Sequence, residues 1–118
     1  MDRRQFVRSS VALGGAMMLS PMARAAEAGV FADKIVFGQT VGFDSVWGGL
    51  YKNYTNGLLA GFEQVNAQGG VAGRKLVVKR LEDNYLPDKA VANVKTLVQE
   101  GVFGLVCMGG TGNTIAAL

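Results

Sequence analysis

The chain has 118 residues, 49% of them hydrophobic and 18% charged, a composition typical of a folded α/β domain rather than a disordered chain. Its net charge of +3 resides entirely in the first 25 residues, so no basic surface is expected to attract nucleic acid. The single cysteine, Cys107, excludes an internal disulfide, and the absence of histidine removes the usual general base. We therefore expect neither an enzyme nor a bound metal or other cofactor.

Residues 1–25 have the layout of a cleavable signal peptide. Arg3 and Arg4 precede a short apolar run at residues 11–19, and residues 23–25, with the sequence ARA, offer a small-x-small cleavage pattern. The paired arginines resemble the twin-arginine export motif. The alternative is an N-terminal membrane anchor, but a run of about nine residues is far short of the roughly 20 that span a bilayer.

This layout predicts export by the twin-arginine route and cleavage near Ala25. The mature protein would then consist of residues 26–118 and be periplasmic. Because a twin-arginine substrate usually crosses the membrane already folded, the mature part is expected to fold before export.

The first half of the mature chain predicts a strand, a helix and a second strand. A β-branched and aromatic run at residues 34–41 indicates a buried strand. Apolar residues recurring every three or four positions then predict a helix over residues 49–66. Its buried face is expected to comprise Tyr51, Tyr54, Leu58, Phe62 and Val65. A glycine-rich turn follows, and residues 75–82 form a second, less enclosed strand.

The second half repeats the alternation. Pro87 fits the first turn of a helix that ends at Gly101. Its predicted buried face is Ala90, Val91, Val94, Leu97 and Val98. Residues 102–108 indicate a third buried strand, with Cys107 as a core thiol. A Gly/Thr-rich loop at residues 109–114 leads into the start of a further helix.

Strands joined by helical crossovers predict an α/β fold with a parallel sheet, in the order βαβαβ, and helices on both faces. In such sheets ligands bind outside the carboxyl ends of the strands. Residues 42–48, 83–86 and 109–114 lie there. Gly110 and Gly112 would let backbone N–H groups approach a carboxylate or phosphate, and Thr111 could donate its hydroxyl. The alternative is that Thr111 caps its own helix.

Aromatic residues occur in the first two of these loops. Trp47, the only tryptophan, could form an aromatic wall for a small ligand or pack over the sheet edge. Tyr85 and Phe43 are weaker candidates for the same role. The neighbouring carboxylates Glu82 and Asp83 would point to opposite faces of a strand, so they cannot flank one scissile bond.

Residues 65–76, VNAQGGVAGRKL, resemble the Asn-x-x-Gly-Gly-(Ile/Val)-x-Gly-(Arg/Lys) turn of type I periplasmic binding proteins, which include leucine/isoleucine/valine-binding components of ABC importers. The resemblance extends over residues 34–118. It implies a sheet with strand order 2-1-3, as the N-terminal part of the first of two ligand-binding lobes. It also implies that Thr111 holds the carboxylate of the ligand and that Trp47 lines the cleft.

The resemblance implies a binding protein that captures a small polar, carboxylate-bearing solute, such as a branched-chain amino acid, and delivers it to an inner-membrane ABC permease. Residues 26–118 would supply only part of the ligand-binding domain. Two alternatives remain open: a ligand-sensing receptor module of the same fold, and a nucleotide-dependent enzyme with residues 109–114 as a phosphate cradle. The latter is disfavoured because the loop lacks Gly-Lys-Ser/Thr and follows the third strand.

Overall fold

The computed structural model describes residues 27–118, so the predicted signal peptide and its cleavage site lie outside the described residues. The elements in chain order are β1 (Lys34–Val41), α1 (Gly48–Ala67), β2 (Lys75–Glu82), α2 (Pro87–Gln99) and α3 (Thr111–Ala117). Both strands have the predicted bounds, and α1 extends one residue beyond its predicted range at each end. Within residues 27–118, no helix is both long and apolar enough to cross a membrane.

The two strands are parallel, with Lys34 opposite Lys75 and Val41 opposite Glu82. Helices cover the two faces of this pair. On one face the ring of Phe37 lies 5.4 Å from that of Phe62 in α1. On the other face Leu97 of α2 packs against β1 at Gly38, where an added Cβ would lie only 3.0 Å from a methyl group of Leu97. The three-layer α/β arrangement predicted from the sequence is therefore confirmed.

The predicted third strand, residues 102–108, does not form as a regular strand. The segment runs along the free edge of β1, where Phe103 N donates to Val36 O (2.7 Å) and Val106 N to Gly38 O (2.9 Å). Only one bridge in this segment, between Gly38 and Leu105, has the parallel pattern. Between these two bonds the segment advances three residues while β1 advances two, so the pairing register shifts by one residue. The segment lies in the place of the third strand in the order 2-1-3, but it does not form a regular ladder with β1.

The same segment corrects the expectation for Cys107. Its side chain is only half-buried, and its backbone has a φ of +51°. A left-handed residue cannot continue an extended strand, because its carbonyl and N–H turn away from the ladder direction. The regular pairing with β1 is therefore interrupted at Cys107, and the glycine loop begins where Gly109 N next bonds to Thr40 O of β1.

The apolar core is smaller than the helical patterns predict. Among residues 27–118, four apolar residues are buried: Val41, Ala90, Val94 and Leu97. Tyr54 and Val98 were expected inside but are 51% and 63% exposed. Two strands and one irregular segment form a narrow sheet, so each helix buries only a narrow stripe of its surface against it.

The glycine-rich turn between α1 and β2 is fixed by Asn66. Its side-chain amide donates to Leu76 O (2.9 Å) and accepts from Leu76 N (2.7 Å). The side chain thus satisfies both backbone groups of one strand residue, as a neighbouring strand would. This pairing ties the end of α1 to the beginning of β2 and gives the asparagine of the turn motif a structural role.

Candidate functional site

Three chain segments converge at the carboxyl end of β1. Asp83 N donates to Val41 O (3.1 Å), which brings the end of β2 beside the end of β1. The backbone of Gly42 then passes so close to Tyr85 that a Cβ on the glycine would lie 2.6 Å from Tyr85 N. On the other side Gly109 N donates to Thr40 O (3.3 Å). The predicted meeting of these loops at one sheet edge is present in the structure.

Two adjacent carboxylates hold the first two loops together. Glu82 accepts hydrogen bonds from Phe43 N (2.9 Å) and Asn84 N (2.6 Å). Asp83 points to the opposite face, where it accepts from Tyr85 N (2.8 Å) and from the hydroxyl of Thr40 (2.9 Å). Charge-assisted bonds of this kind are about twice as strong as neutral ones. Both carboxylates therefore shape the loops, and their side chains point to opposite faces, as predicted.

The loop after β2 is strained. Asn84 and Tyr85 have φ values of +53° and +62°, and a left-handed conformation is uncommon for a bulky residue such as tyrosine. The cost of roughly 1 to 2 kcal/mol per residue must be met by surrounding contacts. The two carboxylates supply those contacts. Backbone strain of this kind is concentrated at functional sites, which makes Tyr85 a candidate for a functional role.

Tyr51 and Tyr85 flank the glycine loop. Their ring centroids lie 6.1 Å apart. A Cβ added to Gly109 would lie 2.7 Å from the ring of Tyr51, and one added to Gly110 would lie 2.8 Å from the ring of Tyr85. Only glycine fits at these two positions. The loop therefore runs against two phenol rings, one from α1 and one from the loop after β2.

The electrostatics of the tyrosines beside the loop favour neutral phenols. Burial, followed by the neighbouring Tyr85 phenol, raises the pKa of Tyr51 above its ordinary value. A hydrogen bond with Cys107 is the main reason that the pKa of Tyr54 is also raised. The hydroxyls of Tyr51 and Tyr54 thus remain protonated near neutral pH and can act as hydrogen-bond donors.

Thr111 is the first residue of α3 and its side chain is exposed. The N-cap position belongs to Gly110, whose φ is +82°, and no side chain caps the helix. The alternative interpretation, that Thr111 caps its own helix, is therefore wrong. Gly112 is exposed as well, and a Cβ there would meet nothing within 4 Å. Thr114 donates to Gly110 O (2.9 Å) and closes the first turn.

Trp47 precedes α1 and is 51% exposed. Its backbone N–H donates to the Ser45 hydroxyl (3.2 Å), and that hydroxyl in turn donates to Gly42 O (2.7 Å). Ser45 therefore shapes its own loop. In the described part of the chain, Trp47 forms no ring pair with Tyr51 or Tyr85.

The five residues predicted for the site fall into two groups. One group is contiguous in space, because the ring of Tyr85 contacts the loop that contains Gly110, Thr111 and Gly112. Trp47 belongs to the neighbouring loop after β1. Sequence reasoning missed Tyr51 as part of the site, because its helical spacing assigned it to the core. Tyr51 lies one turn into α1, four residues before the buried Thr55. No feature of the sequence at this position distinguishes a site residue from a core residue.

The comparisons with known proteins establish the family and the fold of the chain. A family profile described as "Periplasmic binding protein" matches residues 48–118. The chain belongs to this family. No match was found among curated proteins.

Solved structures of periplasmic binding proteins share its fold. A fatty acid ABC transporter substrate-binding protein from Thermomonospora curvata is 28% identical, with a TM-score of 0.71 over 76% of this chain and 23% of that one. A "possible leucine/isoleucine/valine-binding protein" from Rhodopirellula baltica SH 1 is 26% identical, with a TM-score of 0.68 over 79% of this chain and 25% of that one.

A type 1 periplasmic binding protein from Bordetella pertussis Tohama I is 27% identical, with a TM-score of 0.65 over 71% of this chain and 23% of that one. The chain thus spans about a quarter of the length of these periplasmic binding proteins. It is an α/β unit resembling the N-terminal part of the type I fold.

Proposed function

We propose that this chain forms part of the first lobe of an exported solute-binding protein that captures a small carboxylate-bearing ligand and delivers it to an ABC permease in the inner membrane. The observation that carries the proposal is the junction of Tyr85 with Gly110. There a strained aromatic residue contacts a glycine loop that ends in an exposed threonine. Such a junction at the carboxyl ends of parallel strands is the usual place for a ligand in this type of sheet.

The proposed ligand contacts follow from the exposure of the loop. The hydroxyl of Thr111 and the backbone N–H groups beside Gly110 and Gly112 would donate to a carboxylate. Tyr85 and Trp47 would contact the remainder of the ligand. Both are partly exposed, so each can bury further surface when a ligand arrives.

The chemistry of the ligand is supported by the two neighbours that carry ligand names. Fatty acids and branched-chain amino acids both combine a carboxylate with an aliphatic portion. We therefore favour ligands of that type, such as a branched-chain amino acid.

The hydroxyl and carboxylate side chains at this edge already form hydrogen bonds to backbone groups, which supports a binding role rather than a catalytic one. The Ser45 hydroxyl, Glu82 and Asp83 are all engaged in holding backbone groups. Asp44 is exposed beside them without a hydrogen bond to a base among residues 27–118. None of these side chains is arranged as a nucleophile with a general base.

The proposal for ligand binding is tested by thermal shift on the full-length protein with matched pairs of compounds. L-leucine is compared with L-leucinol, and octanoate with octanol, so that each pair differs only at the carboxylate carbon. We expect stabilisation by one or both carboxylates and none by the alcohols. Equal stabilisation by acid and alcohol would show that the carboxylate is not recognised, and a panel without any shift would contradict this ligand class.

We also propose that residues 1–25 are a twin-arginine signal peptide and that the mature protein is periplasmic. The proposal is supported by Arg3 and Arg4 and by the alanines around Arg24. Intact mass measurement of periplasmic protein should give an N-terminus at Ala26 or within a few residues. Changing both Arg3 and Arg4 to Lys should stop export, whereas unchanged export would indicate the general secretory route.

A further inference from the structure

A buried amide lies at the centre of the sheet, where the sequence predicts an apolar strand. Gln39 of β1 is completely buried. Its Nε2 donates to two acceptors from different parts of the chain, the Thr55 hydroxyl in α1 (3.0 Å) and the backbone carbonyl of Cys107 (2.9 Å). One side chain thus joins β1, α1 and the segment along its free edge.

Each of these two bonds leads to one side of the candidate site. Thr55 lies one helical turn after Tyr51, on the same face of α1. Cys107 lies two residues before Gly109. Tyr51 and Gly109 are the pair in close contact at the site. A single amide therefore fixes both the helix that carries the ring and the segment that carries the glycine.

The segment needs such a restraint, because its other ties at this point are weak. Cys107 has a left-handed backbone that is unfavourable for a residue with a Cβ. The following bond to the sheet, from Gly109 N to Thr40 O, is long at 3.3 Å. The bond from Gln39 holds the carbonyl of the strained residue itself, immediately before the chain turns into the loop.

Stability alone does not account for this residue. Gln39 Oε1 is buried without a hydrogen-bond partner among residues 27–118, and an unpaired buried acceptor is unfavourable. An apolar side chain of similar volume would avoid that loss, although it would also remove the two hydrogen bonds from Nε2. A polar residue in such a place is better explained by the geometry it imposes than by the free energy it contributes.

We propose that Gln39 is a positioning residue that sets the spacing between Tyr51 and the loop of residues 109–111. That this spacing matters for ligand binding rests on the proposed function, whereas the positioning of Tyr51 and the loop by Gln39 does not. The variant Gln39→Met keeps nearly the same length and volume and removes both hydrogen bonds. Val94→Ala is the matched control, because it weakens the core at a buried position in α2 without touching the amide.

Hydrogen–deuterium exchange of the full-length protein measures the effect without any ligand. In Gln39→Met we expect the amide of Gly109, which donates to Thr40 O, to exchange at least roughly tenfold faster, with little change in β2. Val94→Ala should accelerate exchange without singling out the loop. Unchanged protection of the loop in Gln39→Met, or an increase no greater than that in Val94→Ala, would overturn the proposal.

A second comparison covers the case in which Gln39→Met does not fold. Cys107→Gly removes the backbone strain, because glycine adopts positive φ freely. Gln39→Met is then compared with wild-type Gln39 in that background. The acceleration should be smaller there, because the strain that the amide bond offsets is absent, but it should still be confined to the loop; unchanged protection of the loop would overturn the proposal. Titrations of these variants with L-leucine and octanoate are a separate measurement. Failure of both compounds to bind wild-type protein contradicts the ligand proposal and leaves the exchange result valid.

Discussion

The hydroxyl of Thr40 donates a 2.9 Å hydrogen bond to Oδ2 of Asp83, and both side chains are buried. Thr40 also accepts from the side chain of Asn93 in α2 (3.0 Å). The other oxygen of Asp83 holds the backbone of Tyr85. A continuous hydrogen-bonded network thus runs from α2 through the end of β1 to the strained tyrosine.

This network makes Asp83 important for stability. Asp83→Ala should lower the free energy of unfolding by at least about 2 kcal/mol, because two hydrogen bonds to a charged group disappear and buried donors lose their acceptor. Urea denaturation of the full-length protein measures the change. Asp44→Ala is the control, since this exposed carboxylate should matter by less than about 0.5 kcal/mol. Equal effects of the two substitutions would show that the network contributes little.

Gly110 is predicted to be intolerant of a side chain. Its φ is +82°, and a Cβ added there would lie 2.8 Å from the Tyr85 ring, so only glycine fits. Gly110→Ala should therefore cost about 1 to 2 kcal/mol from backbone strain alone and should displace Tyr85. Gly57→Ala in the middle of α1 should instead stabilise by about 0.5 to 1 kcal/mol, because its Cβ meets nothing. Thermal unfolding of both variants tests this contrast. An unchanged melting temperature in Gly110→Ala would contradict the prediction.

Thr111 is predicted to act on affinity rather than on stability. Thr111→Ala should weaken binding of whichever carboxylate the thermal-shift panel identifies by about 1.5 to 3 kcal/mol, the range for a lost hydrogen bond to a charged group. Thr111→Ser should retain most of the affinity. As a control, Thr96→Ala removes a comparable exposed threonine that bonds only to Ala92 O in its own helix. Calorimetric affinities equal to wild type in Thr111→Ala would remove this residue from the site.

The elements with strong local signals were predictable. Residues 34–41 and 75–82 form strands with the predicted bounds, because β-branched runs bounded by turn residues specify a strand locally. Pro87 opens α2 as predicted, since its fixed φ suits a first turn. The convergence of the three loops followed from topology alone, because carboxyl ends of parallel strands share one edge.

What escaped prediction depends on distant parts of the chain. Residues 102–108 have a strand composition, yet their pairing with β1 slips, and no local signal marks the left-handed backbone of Cys107. Gln39 and Thr55 looked like ordinary polar positions. They are buried because they bond to each other across 16 residues. Sequence periodicity records which side chains are apolar, but it does not record which polar side chains find a buried partner.

The last prediction concerns residues 26–118 produced alone. The described part of the chain leaves large apolar side chains in solvent, among them Val98, Phe103 and Ile115, which are 63%, 50% and 70% exposed. The segment along the outer edge of β1 carries no charge and no proline, and such an edge can pair with another chain. The buried apolar core of residues 27–118 meanwhile consists of only four residues.

We therefore expect this segment to aggregate or to unfold without a cooperative transition, and to bind neither L-leucine nor octanoate tightly. Size-exclusion chromatography and thermal unfolding, followed by calorimetry, measure these properties. Ile115→Lys provides a matched variant, because a charge at an exposed position should reduce association without enlarging the core. The contrary outcome is an unmodified segment that is a monomer with a cooperative transition and micromolar affinity. This part of the fold would then be a self-sufficient binding domain, because its narrow sheet would need no further strand to hold the Tyr51 and Tyr85 contacts in place.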